Sequence, residues 1–226
     1  MDKRLLRDII QWDVRTWQRA LPLWQRQIDG TRPRKALAIG ERDGGLSLWL
    51  ASQGIEVLCT DLRELSPGTM ELHARHGVKA MVTYGTEDAT QLSLSDASVD
   101  LVIFKSVIGA LGSKERQAAA IHEFHRVLRP GGLLLFAENL AGTRLHAWLR
   151  KRYVRWSTYW HYLRMPEDLD LFAPFERTVW YTTGLFANLG RNEGQRDLLA
   201  RCEAWICKWT PASWNYMVYG ASKKAG

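Results

Sequence analysis

A glycine-containing turn follows the first strongly apolar run of the chain. The run 37–39 leads into Gly-Glu-Arg-Asp-Gly-Gly at 40–45, and an amphipathic helical pattern begins directly after it. Glycines allow a sharp turn off a strand and a close approach of backbone amides to a ligand. Asp61 follows about 20 residues later, where a carboxylate can accept bonds from two ribose hydroxyls. These spacings predict a nucleotide site, although Arg42 stands where a middle glycine is expected.

Short β-rich runs alternate with helix-compatible sequence along most of the chain. After the first run they lie at 57–60, 79–83, 99–104 and 133–136, and two final runs lie at 175–183 and 214–220. A helix is predicted from about Gln195 to Lys208, with Asn192 and Glu193 as its cap. Strands that alternate with helices imply a parallel sheet with right-handed crossovers. The predicted fold class is therefore α/β, with a doubly wound sheet.

The chain divides into an arm and a main body. Apolar residues at helical spacing predict that residues 1–30 form a helical arm of the same domain, covering the sheet edge or a cofactor cleft. Dimerisation or membrane contact is the alternative role for this arm. Residues 31–226 form the remaining domain, and within it residues 142–172 are predicted to form a helical cap after the fifth strand.

Four segments between Lys35 and Asn139 form a recognisable series. They are the loop Ala-Ile-Gly-Glu-Arg-Asp-Gly-Gly, Thr60-Asp61-Leu62, Glu87-Asp88-Ala89 and Phe124-His125-Arg126-Val127-Leu128-Arg129-Pro130-Gly131-Gly132. Together they resemble class I S-adenosylmethionine-dependent methyltransferases. The resemblance implies a Rossmann-like, mostly parallel seven-stranded sheet with an antiparallel last strand. Residues 104–109 and 190–193 further resemble bacterial methyltransferases associated with surface polysaccharide synthesis.

The resemblance also assigns a cofactor site. It implies S-adenosylmethionine as cofactor and S-adenosylhomocysteine as product. The methionine and ribose end is assigned to Gly40, Glu41, Arg42, Asp43 and Gly44. Asp61 would take the ribose hydroxyls, Leu62 and the pair Asp88 and Ala89 would contact adenine, and Lys105 and Ser106 would border the transferred methyl. Ala38 stands where the family often carries an acid, so Glu41, Asp43 or backbone carbonyls must meet the methionine ammonium.

A basic and aromatic stretch extends from Gly142 to Arg164. It holds six arginine and lysine residues and no acidic residue, and its aromatic residues repeat at helical spacing. Such a helix can contact anionic lipid headgroups, a pyrophosphate-linked substrate or nucleic acid, or it can pack its aromatic side while the arginines stay solvated. Because the stretch follows the strand that borders the substrate mouth of this fold, substrate contacts are predicted. The predicted contact residues are Arg150, Arg152, Trp156, Tyr162 and Arg191.

Methyl transfer requires that the acceptor, the methyl group and the sulfur are aligned, and a hydroxyl acceptor also requires a general base. Methyl transfer from a sulfonium is an in-line displacement, and a hydroxyl must lose its proton. The candidate bases are His146, His161 and Glu138. Nucleic-acid acceptors are disfavoured because residues 104–107 lack the Asn/Asp-Pro-Pro-aromatic motif and a Pro-Cys nucleophile. Neither a paired acidic cluster nor a histidine-carboxylate spacing indicates a metal site.

Composition sets the remaining expectations. A chain of 226 residues with 46% hydrophobic residues is the size of one α/β domain, and it contains no apolar run long enough to cross a bilayer. With no signal-peptide pattern at its start, the expected location is the cytoplasm. The predicted function is methyl transfer to an oxygen of a sugar, a glycan or another small acceptor, with peripheral membrane contact as a further option and the oligomeric state left open. The alternatives are an N- or O-methyltransferase of a secondary metabolite, or a catalytically silent cofactor-binding scaffold.

Overall fold

The computed structural model describes residues 2–153, 159–207 and 209–226. The N-terminal arm consists of the helices α1 (Lys3–Ile10), α2 (Val14–Trp17) and α3 (Leu21–Thr31). The first half of the main body contains β1 (Lys35–Ile39), α4 (Gly45–Ala51), β2 (Glu56–Asp61), α5 (Pro67–Arg75), β3 (Val82–Thr86) and β4 (Val99–Lys105). The second half contains α6 (Lys114–Val127), β5 (Leu128–Asn139), α7 (Arg144–Tyr153), β6 (Arg177–Thr183), α8 (Glu193–Ile206) and β7 (Met217–Lys223).

The seven strands form one sheet in the order β3-β2-β1-β4-β5-β7-β6. β1 to β5 pair in parallel, whereas β7 runs antiparallel to both β5 and β6. The predicted α/β, Rossmann-like sheet with an antiparallel last strand is therefore confirmed. Because the first five strands run in parallel, their carboxyl ends meet at one edge, which is where ligands bind in folds of this kind.

Several predicted strand boundaries were wrong. β5 was expected at 133–136 but occupies Leu128–Asn139, and β3 and β7 begin later than expected. The run 79–83 was expected to be a strand, but Lys79–Met81 forms a short 3-10 helix and β3 begins at Val82, where pairing with β2 starts. The last strand was expected at 214–220 but occupies Met217–Lys223, because Ala212–Trp214 forms another 3-10 turn. Before β3 and before β7, the backbone forms a local turn ahead of the first residue that pairs with a neighbouring strand. The β propensity of a sequence does not reveal such a turn.

The sheet is covered on both faces. On one face the arm and α4 bury Ile9, Trp24 and Leu48, and the Trp24 indole donates to the Gly220 carbonyl oxygen at 3.0 Å. On the other face α6 buries Phe124 against Phe104 and Phe136. Strands with two covered faces read as continuous apolar runs, as in β4 and β5. Among the described residues, no helix is long and apolar enough to cross a bilayer.

Candidate active site

The first three predicted ligand segments meet at the carboxyl edge of the parallel strands. The Glu41 amide donates to the Thr60 carbonyl oxygen at 2.9 Å, and the Glu87 amide donates to the Asp61 carbonyl oxygen at 3.0 Å. The Arg42 amide donates to Asp61 Oδ2 at 3.0 Å. Backbone bonds between neighbouring strand ends therefore place the turn after β1, the end of β2 and the end of β3 side by side.

The Asp61 carboxylate can accept further hydrogen bonds from a ligand. Its Oδ2 accepts from Arg42, its Oδ1 accepts from the Arg63 amide at 3.3 Å, and the residue is half-buried. A carboxylate offers about four lone-pair sites, so each oxygen can accept a further bond. The neighbouring Leu62 is 62% exposed although it is apolar. A carboxylate beside an exposed apolar side chain fits a ribose with an attached flat ring.

Asp88 is fixed in a turn at the end of β3. Its Oδ1 accepts from both the amide and the hydroxyl of Thr90, each at 2.8 Å. These bonds lower the pKa of the Asp88 carboxyl below its usual value. Ala89 beside it is buried. The predicted adenine contacts thus lie next to Asp61, since Glu87 bonds to that residue, and Asp88 is held there as a carboxylate.

The acids of the turn differ in their surroundings. Glu41 is buried, and its Oε2 accepts from the Ser47 amide at the start of α4 at 2.7 Å. Burial raises the pKa of Glu41 to about 7. Asp43 is partly exposed and pairs with Arg42 Nε at 3.0 Å. Glu41 therefore secures the start of α4, and Asp43 is the turn acid whose side chain stays partly exposed.

Two glycines of the turn are required by contacts within the protein. Gly40 has a φ of +69°, and a Cβ placed there would lie 2.3 Å from Val107 Cγ2. A Cβ at Gly45 would lie 2.1 Å from the Ile9 carbonyl oxygen. The sharp turn predicted at Gly40 is present, and both glycines let β1, the segment after β4 and the arm approach one another. The predicted approach of a ligand to Gly45 stays a prediction.

Lys105 ties the arm to the end of β4. Its Nζ donates to the Ile10 carbonyl oxygen at 2.6 Å and lies 5.5 Å from the centre of the Trp17 ring. Burial lowers the pKa of Lys105 to about 8, and the charge of Glu41 opposes that shift. Trp17 is buried, whereas Trp12 is 40% exposed. Lys105 thus holds the arm over the strand end where the transferred methyl was predicted to lie.

Glu138 positions the segment after β4. It is fully buried, and its Oε2 accepts from the amides of Val107 and Gly109 at 2.8 and 3.2 Å. Its Oε1 accepts from the Asn139 amide at 2.7 Å, and burial raises its pKa to about 7. The Asn139 side chain in turn donates to Ser106 Oγ at 2.7 Å. With both oxygens engaged by the backbone, Glu138 has the geometry of a positioning residue.

The two candidate histidine bases lie in different settings. The Nδ1 atom of His146 accepts from the Thr143 amide at 3.1 Å, and its Nε2 donates to the Leu185 carbonyl oxygen. Both ring nitrogens of this buried histidine are therefore engaged. His161 is exposed, and its backbone amide donates to the Gly109 carbonyl oxygen at 2.8 Å. The structure thus brings His161 to the segment that follows β4.

The described substrate candidates lie on three segments of the chain. Arg152 is exposed on α7, and Tyr162 packs near Trp160 with ring centres 6.2 Å apart. Arg191 is exposed just before α8, where its amide donates to Gln195 Oε1 at 2.8 Å. Trp156 and the side chain of Arg150 lie outside the described residues.

A buried acidic network that the sequence did not reveal joins the arm to α8. The Tyr216 hydroxyl donates to Asp13 Oδ2 at 2.6 Å, and the two oxygens of Glu193 accept from the amides of Asp13 and Val14. Burial raises the pKa of Asp13 to about 7. Because Asp13 and Tyr216 lie some 200 positions apart, no local pattern could have paired them.

His73 on α5 is a further residue that positions this edge of the sheet. It is buried, its Nε2 donates to the Gly44 carbonyl oxygen at 2.9 Å, and its Nδ1 lies 2.9 Å from the Tyr84 hydroxyl. Burial lowers the pKa of His73, so the neutral ring holds the turn after β1. Thr69, one helical turn earlier, donates to the Arg42 carbonyl oxygen and shares this face of α5. The spacing of four residues between Thr69 and His73 was the sequence signal that could have indicated this role. No group of three His, Cys, Asp or Glu side chains in the described part of the chain could hold a metal ion.

Comparison with known proteins agrees with this geometry. Residues 37–136 match the family described as "Methyltransferase domain". No curated protein has a significantly similar sequence. Three similar solved structures share the fold. The first is Haemonchus contortus phosphoethanolamine N-methyltransferase 2 with phosphomonomethylethanolamine and S-adenosylhomocysteine, which is 20% identical with a TM-score of 0.65 over 93% of this chain and 53% of that chain.

The second is the same Haemonchus enzyme in complex with S-adenosyl-L-methionine, which is 19% identical with a TM-score of 0.64 over 93% of this chain and 53% of that chain. The third is the YcgJ protein of Bacillus subtilis, which is 14% identical with a TM-score of 0.61 over 92% of this chain and 99% of that chain. The chain thus spans about half the length of the Haemonchus enzyme. The domain match and the fold together support the predicted enzyme class and its cofactor.

Proposed function

We propose that this protein, an S-adenosylmethionine-dependent methyltransferase, transfers the methyl group to an oxygen of a sugar, a glycan or another small acceptor. The observation that carries the cofactor half of the proposal is the meeting of the turn 40–44 with Asp61 and the exposed Leu62 at one sheet edge. Bound there, the cofactor supplies an activated methyl group. The protein then has to align acceptor, methyl and sulfur.

Each part of the edge has a role in this proposal. Asp61 accepts from the ribose hydroxyls, Leu62 packs on adenine, and Asp88 with the Ala89 amide binds the adenine edge. Asp43 faces the methionine ammonium. Lys105 keeps the arm closed over the methionine end by its bond to the Ile10 carbonyl oxygen. A closed arm excludes water from the reacting atoms.

The acceptor part of the proposal rests on exposed basic side chains and on His161 as a general base. A hydroxyl acceptor must lose a proton, and His161 is the exposed candidate beside the segment after β4. Glu138 and His146 then act as positioning residues, because backbone groups engage them. Arg152 of α7 and Arg191 favour an acceptor that carries phosphate or pyrophosphate. A cytoplasmic location belongs to the same proposal.

A second candidate is methyl transfer to an amine nitrogen of a small metabolite. Two of the three predicted bases are engaged by backbone atoms, and a neutral amine needs no base in the transition state. The Haemonchus enzyme with the same fold is named for N-methylation of phosphoethanolamine. A phosphorylated amine would also meet the preference for an anionic acceptor.

Calorimetric titration with S-adenosylmethionine and S-adenosylhomocysteine tests the cofactor site. Replacing Asp61 with alanine removes two charge-assisted bonds, so we expect roughly hundredfold weaker binding. Glu56→Ala, at the exposed opposite end of β2, is the matched control and should bind like the wild type. Failure of the wild-type protein to bind either compound would contradict the proposal.

An acceptor screen separates the two candidates and the silent scaffold. Formation of S-adenosylhomocysteine is measured with nucleotide sugars and sugar phosphates on one side and with phosphoethanolamine and small amines on the other. His161→Gln should lower kcat for a hydroxyl acceptor by about 10² or more, whereas transfer to an amine should be unaffected. Tight cofactor binding without transfer to any acceptor would identify the scaffold.

A further inference from the structure

The helix α8 carries an exposed apolar stripe on the side opposite to its anchored face. The stripe consists of Leu198, Cys202, Trp205 and Trp209, which repeat at helical spacing and continue just past the helix end. Trp205 and Trp209 are 75% and 78% exposed. We call these four residues the tryptophan stripe. Since so much exposed indole surface is unfavourable in water, the stripe fits a contact with another apolar surface.

The exposure of the stripe does not come from a loosely attached helix. Glu203 on the opposite side of α8 is fully buried, and its Oε2 accepts from the amides of Leu185, Phe186 and Ala187 at 2.7–2.9 Å. Three charge-assisted bonds fix the rotation of the helix about its axis. The fixed rotation of α8 therefore keeps the stripe on the exposed side of the helix.

The helix α7 shows the same arrangement and is anchored at the same place. The Nε2 atom of its buried His146 donates to the carbonyl oxygen of Leu185, the residue whose amide donates to Glu203. On the opposite side of α7 lie Arg144, Trp148 and Lys151, all exposed, with Trp148 at 60%. We call these three residues the basic face. The tryptophan stripe and the basic face thus lie on two helices that are anchored to the same residue, Leu185.

The sequence that contains the basic face is rich in positive charge. The stretch 142–164 contains no acidic residue. The acidic side chains of α8 are turned to protein partners: Asp197 pairs with Arg15 and Arg201, and Glu193 pairs with Arg196. The formal net charge of the whole chain is +7. A partner of this region should therefore combine an apolar interior with an anionic surface.

We propose that the tryptophan stripe and the basic face together bind the surface of an anionic lipid bilayer. Tryptophan combines an apolar ring with an N–H donor and favours the interface between headgroups and acyl chains. Each lysine or arginine near an anionic surface strengthens binding roughly fivefold. The contact is peripheral and involves the exposed sides of α7 and α8. It does not depend on the identity of the acceptor.

Vesicle flotation with the full chain tests this proposal. The probes are vesicles of phosphatidylcholine alone and vesicles with about 30% phosphatidylglycerol, a fraction that provides the negative surface potential on which the basic face acts. We expect the wild type to float with the anionic vesicles and to be released by high salt. Arg144→Glu with Lys151→Glu should weaken binding at least tenfold, and Trp205→Ser with Trp209→Ser should do the same.

A matched control separates position from net charge. Arg177→Glu with Lys223→Glu makes the same charge change at two exposed, paired residues at the opposite edge of the sheet. This variant should float like the wild type. Cofactor binding by calorimetry should stay within twofold in all variants, so that loss of vesicle binding is distinguished from failure of the proposed function.

Three results would overturn the proposal. The first is that the wild type does not float at low salt, and the second is that the Arg177 and Lys223 control loses vesicle binding to the same extent. The third is that the tryptophan variant still floats but has half the molecular mass of the wild type in solution. The last result would assign the stripe to a second copy of the chain. If the tryptophan variant does not fold, a fluorophore on the exposed Cys202 in a Cys207→Ser background replaces it. Its emission should shift to the blue with anionic vesicles, and an unchanged spectrum would contradict the proposal.

Discussion

The cofactor edge and the cap side of this molecule are held in different ways. At the cofactor edge, the turn 40–45, Asp61 and the segment after β4 are joined by backbone bonds between consecutive strand ends and by close glycine contacts. On the cap side, α7 and α8 attach to the segment 185–187 through the side chains of His146 and Glu203. The edge thus follows from the sheet, whereas the cap side depends on a few buried polar anchors.

The largest effect is expected at the anchor of the cap side. Glu203→Ala would leave three buried amides without an acceptor, so the free energy of unfolding should fall by about 4 kcal/mol. Urea unfolding measures this change. Asp197→Ala removes partly exposed ion pairs on the same helix and should cost less than about 1 kcal/mol. Equal losses in the two variants would mean that Glu203 is no special anchor.

The second effect tests the glycine contacts of the cofactor edge. Gly45→Ala would force a methyl group against the Ile9 carbonyl oxygen, and overpacking of this kind costs about 3 kcal/mol. We also expect weaker cofactor binding, because the arm must move. Gly30→Ala in α3 has open space around it and should be neutral or stabilising by up to about 1 kcal/mol. Thermal unfolding and calorimetry on both variants check this, and an unchanged Gly45 variant would contradict it.

The third prediction concerns Asp13, which links the two regions. Burial raises its pKa from 3.8 to about 7, and the charges of Glu193 and Glu203 act in the same direction. Protonated Asp13 therefore stabilises the folded state fully at pH values below 3.8, and this contribution is lost progressively as the pH rises from 3.8 through about 7. Between pH 5 and 7 the wild type should lose about 1 kcal/mol per pH unit relative to Asp13→Asn.

Urea unfolding of both proteins at pH 5, 6 and 7 measures that difference. Asp29→Asn, an exposed change on α3, serves as control and should give a curve parallel to that of the wild type. Parallel curves for Asp13→Asn and the wild type would show that Asp13 is ionised throughout this range in the folded protein.

The smallest effect is expected at Tyr84. Tyr84→Phe removes the hydroxyl that bonds to His73 Nδ1, which should cost about 1 kcal/mol in unfolding free energy. Cofactor affinity should fall only severalfold, because His73 keeps its bond to Gly44. Tyr181→Phe alters a tyrosine on β6 that is 49% exposed and provides the control. If both variants match the wild type, the His73 bridge contributes nothing measurable.

Much of the cofactor edge could be predicted from sequence because its elements are local. The turn at 40–45, the end of β2 at Asp61 and the strand 99–104 all follow from apolar runs that end in turn residues. The boundaries of β3 and β7 could not be predicted, since short 3-10 turns precede both strands. The roles of Glu138 and His146 were also hidden, because their partners are backbone groups at distant positions.

By itself, the sequence determined the strand and helix order, the mostly parallel sheet and the place of Asp61, because hydrophobic periodicity and glycine turns act over a few neighbouring residues. Only the tertiary structure decided that Lys105 reaches the arm, that Asp13 bonds to Tyr216, and that the tryptophans of α8 face outward. These features depend on which distant backbone and side-chain groups become buried together. Burial alters the free energy of each charge, and no pattern along the chain records that proximity.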